Sequence, residues 1–209
     1  MKFNFLILIL LISSFMLFSS CRKKETNTQQ NPLQSLIFNV DESVIDKKIT
    51  NKEHNISYRI PKNWNRISLS DIEEKLKVIL KNPTSNEKSN IILLDAYNDT
   101  DRNSYLILSE IEGIDFGTDN FRYKFENALR NSIVQVNSIN SAEFLFLPWH
   151  IYQFQIVHNQ FIFVKMILSK YRSVSKVYQI DFLTNVEKYP SMARVLESFV
   201  GSLQLINHN

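Results

Sequence analysis

The chain has 209 residues, with 24 basic and 21 acidic side chains, three glycines and one cysteine. That length suits one domain with a buried core. The scattered, nearly balanced charge excludes a nucleic-acid-binding stripe, three glycines leave little room for a phosphate-cradling loop, and a lone cysteine excludes an internal disulfide and a cysteine-based metal cluster.

Met1–Ser20 has one lysine, an apolar core from Phe3 to Ile12 continuing to Phe18, and small residues at Ser19 and Ser20. This is the pattern of a secretory signal. A membrane span needs about 20 apolar residues, and Ser13–Ser14 interrupt this run, so cleavage is expected rather than spanning. Removing it leaves 23 basic and 21 acidic side chains, a net of +2. The stretch Leu17-Phe18-Ser19-Ser20-Cys21 resembles the lipobox of bacterial lipoproteins, with Phe18 where leucine is usual. The resemblance implies cleavage after Ser20 and a thioether-linked diacylglycerol, with acylation of the new amino terminus, at Cys21. Acyl chains of that number anchor a protein firmly to a membrane. Arg22 in place of aspartate after the cysteine removes one retention cue for the inner membrane, so the outer membrane is favoured.

Arg22–Pro32 is polar and reads as a tether, its basic triplet Arg22–Lys24 suited to anionic headgroups. Leu33–Val40 is a short apolar run and Asp41–Glu53 is charged and mixed. Residues 21–54 are expected to form a lipid-anchored tether and arm, or a loosely docked first strand, ahead of a single domain over residues 55–206.

In that domain Ile56, Tyr58 and Ile60 alternate with polar residues, the period of a half-buried strand, which Pro61–Trp64 ends. Ser70 and Glu73 form a capping box for a helix over Ser70–Lys81, with Ile72, Leu76, Ile79 and Leu80 on one face. Asn82–Asn90 is a loop, and Ile91–Tyr97 and Tyr105–Ile111 are expected strands. The intervening Asn98–Asn103 holds two aspartates but lacks the central glycine and terminal glutamate of a calcium loop, so a solvated turn is expected.

Thr118–Asn131 places Phe121, Phe125 and Leu129 at helical spacing, a core-facing stripe. Ile133–Ile139 leads into four successive strands, Glu143–Leu147, Ile151–Val157, Phe161–Leu168 and Lys176–Leu183, rich in Phe, Ile, Val and Tyr. They read as an antiparallel meander with turns at Leu147–Trp149 and His158–Gln160. Pro190 opens a last helix carrying Met192, Val195, Leu196 and Phe199, with Gly201 as its stop, and Ser202–Ile206 is an edge segment. The fold class is α+β, a mostly antiparallel sheet flanked by helices.

Two pieces resemble the PsbP-like family, exported and lipid-anchored α/β/α sandwich domains named after an extrinsic photosystem II subunit. They are Ile56–Trp64, which looks like that family's opening strand, and Val177–Phe182 leading through an acidic loop to Leu196–Phe199. The resemblance covers about Asn55 to Ile206. It implies a fold, and the roles its members serve are assembly or stability factors for membrane complexes and binding modules.

Catalytic chemistry has little support. Nucleophilic catalysis needs a nucleophile with a base in reach, and no Gly-x-Ser-x-Gly occurs. The histidines His54, His150, His158 and His208 have no ligand-like spacing; His150 and His158 would share a strand face but lie about 25 Å apart by strand rise, too far for one metal. Glu110, Glu112 and Asp115 read as solvated carboxylates. The expected function is a non-catalytic interaction or assembly module, anchored to the cell envelope, with no cofactor, no metal and no nucleic-acid partner. The alternative is a small-molecule or lipid-binding envelope protein. Exposed aromatics such as Trp64, Tyr97, Trp149 or Tyr171 would mark the surface for an envelope protein partner, with Trp149 and Tyr171 the leading candidates, while core packing is the favoured alternative for Trp64 and, less strongly, for Trp149.

Overall fold

A computed structural model describes residues 34–72, 90–101, 103–113, 116, 120–132, 137–172 and 176–206. Its strands are β1 (Gln34–Ser35), β2 (Ile45–Asn51), β3 (Ile56–Pro61), β4 (Asn65–Arg66), β5 (Asn90–Asn98), β6 (Tyr105–Glu112), β7 (Ser138–Phe146), β8 (Trp149–His158), β9 (Phe161–Lys170), β10 (Val177–Asn185) and β11 (Gln204–Leu205). Among the described residues two helices accompany them, α1 (Phe121–Ser132) and α2 (Tyr189–Gly201). Residues 69–72 add a helical turn.

The expected meander is present as β7-β8-β9-β10, every neighbour antiparallel. It continues through β6 and β5 into an eight-stranded sheet of order β1-β7-β8-β9-β10-β6-β5-β4. The central strands are apolar without alternation because both of their faces are covered: in β10 all but Leu183 and Asn185 are buried.

On the first face, Leu106, Leu108, Val164, Met166, Leu168, Tyr178, Ile180 and Phe182 pack with Leu196, Phe199 and Val200 of α2 and with Ile56 and Tyr58 of β3. On the second face, Phe121, Phe125 and Leu129 of α1 pack on Tyr152, Phe154, Ile156 and Ile167. Phe125 stacks on Phe154 with ring centroids 4.7 Å apart, so the aromatic spacing in this helix serves the core as expected. Farther along that face Ile72 meets Ala96 and Ile107.

Several expectations need correction. The strand expected at Asn55–Ile60 is present as β3, but it lies at the centre of a separate three-stranded sheet ordered β11-β3-β2, a division the sequence reading did not draw. The first face is therefore covered by a helix and a small sheet rather than by helices alone. Residues before Asn55 are also paired into the sheets and are not only an arm: β1 pairs in parallel with β7, and β2 pairs with β3. Phe38 supplies the reason, since its ring lies 5.0 Å from that of Phe146 and 5.7 Å from that of Phe144.

The described end of Ile133–Ile139 and most of Glu143–Leu147 belong to one strand, since β7 runs unbroken from Ser138 to Phe146, while residues 133–136 lie outside the described residues. The early helix starts at residue 69, where the carbonyl of Ser68 accepts from the amide of Ile72 at 3.3 Å. Ser70 is thus inside the helix instead of capping it; Glu73 and the rest of that segment lie outside the described residues. Gly201 is within α2 and is no left-handed stop, since the residue after it is also right-handed.

Candidate functional site

The candidate partner residues Trp149 and Tyr171 sit at one end of the main sheet and differ in exposure. Trp149 is completely buried, its Nε1 donating to the carbonyl of Leu203 at 3.3 Å and its ring edge-on to Tyr178. This corrects the expectation of a surface residue: Trp149 opens β8 with its side chain turned into the first-face core, and an indole that finds a carbonyl partner is stable there. Tyr171 is half-buried at the end of β9, its amide donating to the carbonyl of Pro148 at 2.8 Å and the Arg172 guanidinium 5.1 Å from its ring centre. Beside it Leu147 is 68% exposed. Trp64 and Tyr97 belong to the core side, Trp64 stacked on Phe182 and Tyr97 2% exposed. Cys21, Ser20 and Asp115 lie outside the described residues.

The sheet also holds charged groups that sequence spacing did not single out. On the second face Lys165 of β9 and Asp181 of β10 are directly opposite in register, and Lys165 Nζ donates to Asp181 Oδ1 at 2.5 Å. Gln179 Nε2 donates to the other carboxylate oxygen, also at 2.5 Å. Lys165 and Asp181 are each 4% exposed, and Gln179 and Ser109, which face one another across β10 and β6, are fully buried. Ser109 Oγ and Gln179 Oε1 have no hydrogen-bond partner among the described residues. A lysine inside the otherwise apolar run of β9 was the available signal for this cluster.

On the first face a β-bulge between Leu93 and Asp95 turns the consecutive residues Leu94 and Asp95 to the same side. Asp95 there accepts from Tyr58, Tyr97 and Arg66. Burial, and next the Asp95 charge, push the Tyr58 phenol well above its ordinary range; burial, and next the hydrogen bond to Asp95, do the same for Tyr97.

At the sheet end Glu110 is 6% exposed, not solvated as expected, because His54 Nδ1 lies 2.6 Å and Lys176 Nζ 2.9 Å from its carboxylate. His150 pairs with Glu143 at 2.9 Å. In the loop before β6, Asp99 Oδ1 accepts the amides of Asn103 and Ser104, and Lys188 donates to Asp101 at 3.0 Å. These aspartates serve the turn and a lysine. Among the described residues no group of three or more His, Cys, Asp or Glu is arranged to hold a metal, and no helix is long and apolar enough to cross a membrane.

The chain is similar in structure to a cyanobacterial PsbP. The solution structure of that protein, CyanoP from Synechocystis sp. PCC 6803, superposes with a TM-score of 0.48 at 11% identity, over 76% of this chain and 91% of that one. No family model and no curated protein matches the chain.

Chemically, the arrangement divides into ion pairs with at least one buried or half-buried member and an exposed end. Lys165–Asp181, Arg66–Asp95, His54–Glu110 and His150–Glu143 each engage a base or acid with its opposite. The exposed end, around Leu147 and Tyr171, offers contact area instead of reacting groups.

Proposed function

We propose that the protein is an exported lipoprotein, anchored to the cell envelope through Cys21, whose domain serves as a non-catalytic interaction or assembly module. The observation that carries this reading is the run Leu17–Cys21, small residues leading to the chain's single cysteine, placed before a polar segment. A lone thiol in an exported chain is otherwise hard to account for. The non-catalytic half of the proposal is supported by the way the buried titratable groups are taken up by one another rather than left facing a common point. The outer membrane is the favoured destination because Arg22 stands where an inner-membrane retention aspartate would be.

A second reading, binding of a small polar molecule, rests on the unpartnered Ser109 Oγ and Gln179 Oε1. These residues are register partners across two strands and are fully buried in the sheet. The interaction module therefore takes precedence.

Metabolic labelling with palmitate tests the anchor. Label on the wild type, lost in Cys21→Ala together with release from the membrane fraction, is the expected result; an unlabelled protein that is exported and cleaved elsewhere overturns it. Affinity capture from detergent-solubilised envelope tests the module, the expected result being a reproducible partner set that depends on Cys21.

A further inference from the structure

The end of the main sheet where β7 turns into β8 and where β9 ends gathers exposed apolar side chains. Leu147 is 68% exposed and Ile37 83% exposed. The amide of Leu36 donates to the carbonyl of Leu145, so Ile37 and Leu147 each lie within two residues of that one bond. Pro148 beside them is exposed, and its carbonyl holds the amide of Tyr171. Arg172 is exposed and held at φ 62°, a left-handed conformation uncommon for a residue of its kind, with its guanidinium over the Tyr171 ring. Lys170 is exposed next to them, and Glu112, exposed at the end of β6, is on the far side of β10.

We propose that this end of the domain docks onto a lipid bilayer carrying anionic headgroups, the proposal resting on the lipid-anchor reading above. Exposed aliphatic groups, a tyrosine and snorkelling cations together form the composition that settles at a membrane interface. The large aromatic that a protein partner would use as a hot spot, Trp149, is instead buried. Chain length agrees: Cys21 precedes Gln34 by 13 residues, a reach of at most about 45 Å. Ile37 follows Gln34 by only three residues. An acylated Cys21 would hold the bilayer within reach of this end, and the patch would fix the orientation of the domain upon it.

The test uses the mature chain, residues 21–209 with Cys21→Ser so that no acyl chain contributes, and flotation with vesicles of phosphatidylethanolamine with or without phosphatidylglycerol. Wild type is expected to float with the phosphatidylglycerol vesicles, and Ile37→Asp/Leu147→Asp to partition at least about tenfold less. Arg172→Gln is expected to lower binding to the anionic vesicles only. Val186→Asp, at the opposite end of β10, is the control and binds as wild type. All of these side chains are exposed, so melting temperatures stay together and separate lost docking from lost folding. Equal flotation of the double variant and wild type overturns the proposal, as does absence of wild-type binding. Absence of vesicle binding combined with a captured envelope protein lost in the double variant would assign this end to a protein instead. Palmitate labelling at Cys21 reads the anchor independently, so failure of one does not mimic failure of the other.

Discussion

The Tyr58 hydroxyl donates to Asp95 Oδ2 across 2.8 Å, and through that bond the three-stranded sheet is tied to the eight-stranded one. The Tyr97 hydroxyl reaches the same oxygen at 2.5 Å, and Arg66 Nε reaches Oδ1 at 2.6 Å. Asp95 is 1% exposed, so Asp95→Ala leaves two buried hydroxyls without an acceptor and is expected to cost about 3–5 kcal/mol in urea denaturation. Asp95→Asn keeps an acceptor and costs less. Arg66 is largely exposed, so Arg66→Ala should cost under about 1 kcal/mol. An Asp95→Ala variant as mild as Arg66→Ala would remove this bond from the account of how the sheets hold together.

The buried phenols set a limit at high pH. Burial raises the pKa of Tyr58, Tyr97 and Tyr178, with the charges of Asp95 or Glu110 adding to it. A folded-state pKa above the unfolded value means that the native chain keeps protons the unfolded chain has lost. Stability is therefore complete below the unfolded tyrosine pKa of about 10 and falls as pH rises beyond it. Melting temperature followed with phenolate absorbance should show some tyrosines ionising only as the protein unfolds. Ionisation of every tyrosine near pH 10 in a still-folded chain would contradict it.

Much of the fold could be read from the sequence because its largest element is local. Phe161–Lys170 and Val177–Asn185 are apolar runs joined through a short connection, and such neighbours pair antiparallel. Asn55, Asn63, Asn120 and Asn159 adopt positive φ, a conformation asparagine tolerates better than most residues, but the sequence alone did not place these turns. The second sheet was not legible, since its pairing of β11 with β3 joins Gln204 to Ser57 across most of the chain. Trp149 was misjudged because a residue at a turn can face either side, and what buries it is the distant Leu203. Lys165 and Asp181 become a pair only through cross-strand register, which sequence patterning leaves open.

Gly201 shows what docks the segment before β2. A Cβ there would meet the Phe38 carbonyl oxygen and Val40 Cγ2, each at 3.0 Å. Helix propensity alone would make Gly201→Ala stabilising by roughly 1 kcal/mol, whereas overpacking against backbone typically costs about 1–3 kcal/mol. Destabilisation is the expected net sign, together with faster hydrogen exchange at the amide of Leu36, which bonds to Leu145. A more stable Gly201→Ala protein with unchanged exchange would mean that this segment yields without cost.

The Lys165–Asp181 pair offers the sharpest separation between stability and specificity. Both side chains are buried, and the carboxylate takes a second hydrogen bond from Gln179. Removing one charge strands the other in a medium that solvates it poorly, so Lys165→Met or Asp181→Leu alone should cost about 3–5 kcal/mol. Replacing both together removes the desolvation cost along with the attraction, and Lys165→Met/Asp181→Leu is expected to recover most of the loss or to exceed wild-type stability by up to about 4 kcal/mol. The unpartnered Ser109 Oγ lies opposite Gln179, so the double variant should leave Gln179 free to turn to Ser109. Guanidinium denaturation of the four chains forms a double-mutant cycle with a strongly favourable coupling. Losses that simply add would mean that the two charges do not depend on each other. Palmitate labelling and vesicle flotation of the double variant, expected to match wild type, would then show whether this buried pair serves the fold alone.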